Sequence, residues 1–230
     1  MPQTLRATSR SPSPPPLESG DHLSRSEFER RYHAMPHLKK AELIEGVVFV
    51  ASPLRLDPHA RPHGQIMTWL GTYEAYTKGL KMGDNPTVQL DLDNELQPDA
   101  VLLISTGGQS RLSQEGYIEG APELVAEVAA SSVSNDLYEK KTVYRRNGVQ
   151  EYIVWQVLEQ KLSWFELIEG DYIQQVPDEN GILHSRIFPG LWLDMNALIH
   201  DDMPQVLRVL QQGIQSSEHE QLLQKLRLCS

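Results

Sequence analysis

The sequence predicts an α/β fold: a mixed sheet flanked by helices, with a late antiparallel hairpin and a helical C-terminal tail. Three observations carry this. Asp99 to Ile104 and Leu124 to Ala129 are continuous apolar runs, as central strands covered on both faces are. His63 to Lys78 repeats apolar residues at helical spacing, and Asn135 to Asn147 reads as a second helix. Tyr152 to Val157 and Leu162 to Leu167 read as a hairpin. Strands interrupted by two substantial helices, with antiparallel additions late in the chain, describe one sheet flanked by helices.

Composition bounds the rest. The 230 residues carry 21 Lys and Arg against 31 Asp and Glu, a formal charge of −10. That length predicts one domain of roughly 170 residues with tails. A lone cysteine, Cys229, excludes a disulfide framework and a cysteine-based zinc site. No apolar run approaches the roughly 18 residues a membrane span requires, and no secretory signal is recognisable, so a cytoplasmic protein without membrane contact is expected. Proteins that wrap nucleic acid by charge alone are basic. A polyanionic partner here would need a local basic patch or a bound metal ion.

Along the chain, residues 1 to about 22 hold five of the fifteen prolines and are expected to be disordered. Ser24 and Glu27 form a capping-box pattern opening a helix that runs to about Met35, where Pro36 ends it. Glu42 to Ala51 reads as two short strands or one bent strand, with Gly46 at the turn or bulge. Pro62 suits the first turn of the long helix and Gly79 its C-terminal end. Val88 to Leu92 alternates as a strand with one wet face. The helix from Asn135 ends at Gly148, and Tyr172 to Val176 is a further strand. These elements compose a domain over about 23–200. Beyond it, Val206, Leu207, Val209, Leu210 and Ile214, then Leu222, Leu223 and Leu226, mark two amphipathic helices over 201–230. Gly213 and Ser216-Ser217 are the expected break. These helices either dock on the domain or pair with a second chain, which leaves a homodimer open.

The residues that stand out chemically are acids at strand positions. Asp99 opens an apolar strand, and Glu127 sits inside Leu124-Val125-Ala126-Glu127-Val128-Ala129. A carboxylate in such a run must be paired, hydrogen-bonded, metal-bound or shifted in pKa, unless it lies on the wet face of an edge strand. In the following helix Lys140 is three residues after Leu137 and four before Tyr144, on the inward stripe. An inward lysine near two inward carboxylates is read equally well as catalytic or as an ion pair. Lys141, Arg145 and Arg146 point elsewhere, as solvated surface or a modest phosphate-facing patch.

These pieces, with Glu42-Leu43-Ile44-Glu45-Gly46, Ser52-Pro53, His63-Gly64, Gln97-Pro98-Asp99-Ala100-Val101, Gly120 to Val128, Asp136 to Lys140, Tyr144, Gly148-Val149 and Glu151-Tyr152, resemble in order and spacing the Uma-two family of restriction-endonuclease-like proteins. That family belongs to the PD-(D/E)XK nuclease superfamily. The resemblance spans about 41–199 and implies a restriction-endonuclease-like fold and a Mg²⁺-dependent (or Mn²⁺-dependent) endonuclease acting on DNA. It implies Asp99, Glu127 and Lys140 as the catalytic trio, Asp99, Glu127 and the Val128 carbonyl as metal ligands, and Glu42 at the metal site, holding either a second metal or the first metal's water. The superfamily lysine is missing from Glu127-Val128-Ala129; Lys140 stands where related families carry it on the next helix. Gln156 replaces an acid more usual in relatives.

His63 matches the family position near the start of the long helix, where it contacts substrate phosphate or a ligand carboxylate, or else caps and fills space. His59 and His63 at i, i+4 lack the intervening glutamate of a zinc-protease helix, and Gly107-Gly108 lacks phosphate-loop spacing. Two rival readings stand beside the nuclease. One is a DNA- or protein-binding scaffold that keeps the fold without turnover. The other is a metal-dependent hydrolase of another phosphate ester.

Overall fold

The computed structural model describes residues 14–50, 59–129 and 135–228. Residues 1–13 of the Ser/Pro-rich stretch, Ala51, the Ser52-Pro53 pair and Cys229 lie outside these.

Helix α1 (Arg25–His33) precedes a hairpin of β1 (Ala41–Ile44) and β2 (Val47–Val50). Its turn needs left-handed backbone at both central residues, Glu45 (φ 52°) and Gly46 (φ 74°), the twist-matched two-residue form. Helix α2 (Arg61–Tyr76) leads to β3 (Leu80–Asp84) and the two-residue strands β4 (Val88–Gln89) and β5 (Glu95–Leu96). Then come β6 (Ala100–Ile104), β7 (Arg111–Leu112), β8 (Ile118–Glu119) and β9 (Leu124–Ala129). A π-helical turn (Asn135–Lys140) runs into α3 (Lys141–Asn147), closed by Gly148 at φ 86°. Strands β10 (Glu151–Gln156), β11 (Lys161–Ile168) and β12 (Asp171–Gln174) form a meander. The pair β13 (Ile182–His184) and β14 (Trp192–Asp194) and helices α4 (Met195–Ile199), α5 (Met203–Ile214) and α6 (Ser217–Leu228) complete the chain.

Two six-stranded mixed sheets result. One has the order β2-β1-β5-β4-β8-β7 and the other β12-β11-β10-β9-β6-β3. In the second, β9 is central, parallel to β10 and antiparallel to β6. Strand alternation divides its residues. Ala126, Val128, Ile153, Trp155 and Trp164 join α2, α5 and α6 in the larger core. Val101, Val125, Ala129, Tyr152, Val154 and Phe165 pack on α3 and on Ile44, Val88 and Leu96 of the first sheet. A third cluster seats Phe28 of α1 on β1 and β2.

Several expectations are corrected. The capping box is not made: Ser24 Oγ makes no cap bond and lies 3.2 Å from Ser26 Oγ instead, and the Glu27 carboxylate, which would reach back to the Ser24 N–H, is taken by Arg30 and Arg31 at 2.7 Å each. The strand from Val88 stops at Gln89, since Asp91 accepts from the Asp93 N–H and the Asn94 side chain and bends the chain back. Residues ahead of Ser24 run along β2, with the Gly20 N–H on the Val48 carbonyl and the Leu23 N–H on Gly46. Gly213 does not break the C-terminal helices. It lies buried inside α5, against the Gly190 carbonyl and the Trp192 ring. Both C-terminal helices dock at home, placing Val206, Leu210, Leu222 and Leu226 in the larger core.

Candidate active site

The pairing of β6 with β9 sets Ala100 against Ala126 and Val101 against Val125. Asp99 stands one residue ahead of β6, and extending that register by one position sets it opposite Glu127, which shares a face with Val125 and Ala129. Side chains at facing positions of an antiparallel pair lie about 5 Å apart at Cβ. Both residues are 3 % exposed, so neither occupies the wet face of an edge strand.

Burial of two carboxylates demands compensation, and each has its own. Glu127 Oε1 receives Lys140 Nζ at 3.1 Å and the Tyr144 hydroxyl at 3.0 Å. The same Nζ lies 3.1 Å from Glu42 Oε2. Glu42 Oε1 accepts the Gln97 N–H at 2.8 Å. Lys140 therefore bridges an acid of each sheet. Four residues separate it from Tyr144, and the turn-to-helix run of Asn135 to Asn147 aims both at one oxygen. Burial and the neighbouring Glu127 charge push the Tyr144 hydroxyl well above its ordinary pKa, so it remains a donor.

Asp99 has a separate set of partners. Oδ2 accepts the Val128 N–H at 2.8 Å and faces His59 Nε2 at 3.4 Å; Oδ1 faces Lys40 Nζ at 3.4 Å. Burial alone would raise this carboxyl. The His59 contact, the Lys40 and His59 charges and the Val128 N–H overcome it and hold the group well below the usual carboxylate range. Asp99 is ionised. His63 sits alongside, its Nε2 3.0 Å from the Asp99 carbonyl oxygen and 3.2 Å from Asp84 Oδ1. It anchors the Asp99 backbone from α2, and its ε2 proton already has acceptors within the protein.

Thus Asp99, Glu127, Lys140, Glu42 and the Val128 main chain meet in one interior, with His63 behind Asp99. Lys40, His59 and Tyr144 belong to it as well and were not singled out as site residues by sequence. The signal for His59 was its i, i+4 spacing with His63, which sets the two rings 6.0 Å apart beside Asp99. Lys40 carried no signal beyond preceding β1. Gln156 lies on the same face, 7 % exposed, with Oε1 unpartnered among the described residues. The basic stretch after Lys140 is engaged locally. Lys141 stacks 3.5 Å over Phe165, Arg145 pairs with Asp171, and Arg146 with Glu45 and Asp91.

The donors available to a cation are hard oxygens: two facing carboxylates, a third across Lys140, and the β9 main chain. Among the described residues no three His, Cys, Asp or Glu side chains are arranged around a common metal position. Mg²⁺ needs only one or two carboxylates and keeps several waters, so this set suits it and not a zinc-like closed site.

A mixed sheet with one acid just ahead of a central strand, a second acid on the neighbouring central strand and a buried lysine from the next helix has a nuclease-like architecture. The chain belongs to the Uma2 family, described as "Putative restriction endonuclease", whose model matches residues 25–196. It is also similar in structure to a "putative nuclease belonging to DUF820" from Anabaena variabilis, at 14 % identity and TM-score 0.55, over 74 % of this chain and 97 % of that one. That likeness bears out the fold. No curated relative matches. No helix among the described residues is long and apolar enough to cross a membrane.

Proposed function

We propose that the protein is a Mg²⁺-dependent endonuclease that hydrolyses DNA phosphodiester bonds. The observation that carries this reading is the placement of buried Asp99 across from Glu127, with Lys140 Nζ 3.1 Å from Glu127. An ion pair serving stability alone does not call for a second buried carboxylate at the facing position.

Asp99 and Glu127, with the Val128 carbonyl and with Glu42 nearby, would hold Mg²⁺, or Mn²⁺ in its place. When bound, the ion supplies Lewis-acid polarisation of a phosphoryl oxygen and eases ionisation of the attacking water. The protein's own groups do the rest. Lys140, fixed between two carboxylates, orients the water and offsets charge developing on the phosphate. Tyr144 holds Glu127 in one orientation by its hydroxyl. His63 and the Val128 N–H hold Asp99 by backbone and side chain. An acidic wall attracts phosphate once a cation is bound, which reconciles the net charge of −10 with a polyanionic substrate.

Incubation of supercoiled plasmid with a series of divalent ions tests this. Nicking with Mg²⁺ or Mn²⁺ is expected, reduced on the order of 100-fold or more in Asp99→Ala and Lys140→Ala. Undiminished cleavage by Asp99→Ala overturns the ligand set. A second reading, a scaffold that binds without turnover, is favoured by the amide of Gln156, buried with its Oε1 unpartnered among the described residues, at the position where the family resemblance implies an acid more often. It predicts DNA retention with no cleavage under any of the ions.

A further inference from the structure

A cleft of about 300 Å³ opens on the far side of the second sheet from Asp99 and Glu127, between β11, the chain following β12, and α4. Trp164 forms its floor and is fully buried. Leu162, Leu183, Met195 and Ile199 supply apolar wall. Gln175 lies across from Trp164: its N–H bonds the Trp164 carbonyl at 2.8 Å, extending the register that pairs Phe165 with Gln174. Facing residues project to one side of the sheet, so the Gln175 amide and the indole share the cleft. Both present donors, the indole Nε1–H and the Nε2 amide, that are buried and meet no acceptor among the described residues. Native interiors seldom leave one such donor unpaired; here two belong to residues at facing positions that line one cleft. Lys161 is the one charged residue of the lining, which contains no carboxylate.

We propose that this cleft is a binding site for a small monocarboxylate with an apolar body. The carboxylate accepts from the Trp164 indole and the Gln175 amide, as a charge-assisted acceptor for two neutral donors. Lys161 contributes attraction at the rim, and the apolar body lies on the aliphatic wall. The cleft stands at the small end of ligand sites, which limits the ligand to about the size of an arylacetate. The half-buried Gln175 side chain turns to admit the acid and keeps its amide N–H on the carboxylate. This site is independent of the nuclease reading, since Trp164 and the neighbouring Phe165 face opposite cores.

Nitrogen–proton correlation spectra of the full chain resolve the indole N–H groups of its four tryptophans, and Trp164→Phe assigns one of them. Phenylacetate is expected to move the Trp164 signal saturably at millimolar concentration, while phenethylamine leaves it in place. Gln175→Leu, at a half-buried edge position, is expected to weaken phenylacetate binding about tenfold or more. Should Trp164→Phe not fold, Gln175→Leu and the titration of the unaltered chain decide alone. A Trp164 signal unmoved by phenylacetate overturns the proposal. So does an equal shift with phenethylamine, which would mark an apolar cleft indifferent to charge. An indole already hydrogen-bonded in the free protein and released by Gln175→Leu overturns it too, because the two side chains then satisfy each other.

Discussion

Replacing Lys140 by methionine removes one cation from between two buried acids while keeping most of the side-chain volume. In the intact protein Nζ is 3.1 Å from Glu42 and 3.1 Å from Glu127, with the lysine side chain 6 % exposed. The two carboxylate oxygens are thus at most about 6 Å apart. Without the lysine they repel across a desolvated gap, although Glu127 keeps the Tyr144 hydroxyl and Glu42 the Gln97 N–H. Breaking a buried pair from one side costs about 3–5 kcal/mol. The cost should depend on pH, since one of two like-charged acids takes up a proton when its neighbour stays ionised. Urea unfolding at pH 8 is expected to show the full loss in Lys140→Met, and at pH 5 a visibly smaller one. Adding Glu42→Gln to Lys140→Met should restore at least half of the loss at pH 8, because the remaining repulsion disappears. A loss below about 1 kcal/mol, equal at both pH values, is the behaviour of a solvated surface pair and would refute the bridging role argued for Lys140.

Tyr144→Phe keeps the ring against Tyr152 but deletes the donor to Glu127; a loss of about 1.5–3 kcal/mol in urea unfolding is expected. Glu151 is fully buried, and burial raises its carboxyl from 4.5 to about 7 in spite of bonds from Ser185 and the Arg186 and Ile187 N–H groups. Its folded pKa lies above the unfolded one, so its contribution is intact below about pH 4.5 and is lost as pH rises through about 7, a fall of about 3 kcal/mol; Glu151→Gln should flatten that segment of the stability–pH curve. Gly213→Ala puts a Cβ 2.8 Å from the Trp192 ring and should destabilise by about 1–3 kcal/mol, whereas Gly64→Ala in α2, with nothing within 4 Å, should gain up to about 1 kcal/mol, both read from urea midpoints.

The acids and the lysine of the site were legible because each breaks a local rule. Glu127 interrupts an apolar strand, and Lys140 occupies an apolar stripe four residues before Tyr144. Such a break is visible within a window of a few residues, since desolvating a charge has a cost that its immediate neighbours cannot offset. The compensation is not visible in the same window. Asp99 meets Glu127 through an antiparallel pairing of β6 with β9, while β9 runs parallel to β10, and no single-strand pattern specifies which neighbour a strand takes. Lys40 and His59 reach Asp99 from segments before β1 and α2, so their contribution comes from topology alone. Of the four two-residue strands, β5, β7 and β8 offer no alternation to register, and β4 is visible only within the longer run from Val88 to Leu92. Where a local rule did mislead, competing local interactions were the reason: Glu27 is held by two arginines within one turn rather than reaching back to the Ser24 N–H, and Ser24 Oγ pairs with Ser26. The residues of this site are therefore found by their cost and located by their partners. Any chain that keeps the acids at 42 and 127 without a cation at 140 must place a replacement charge from elsewhere in the fold, or leave one acid protonated.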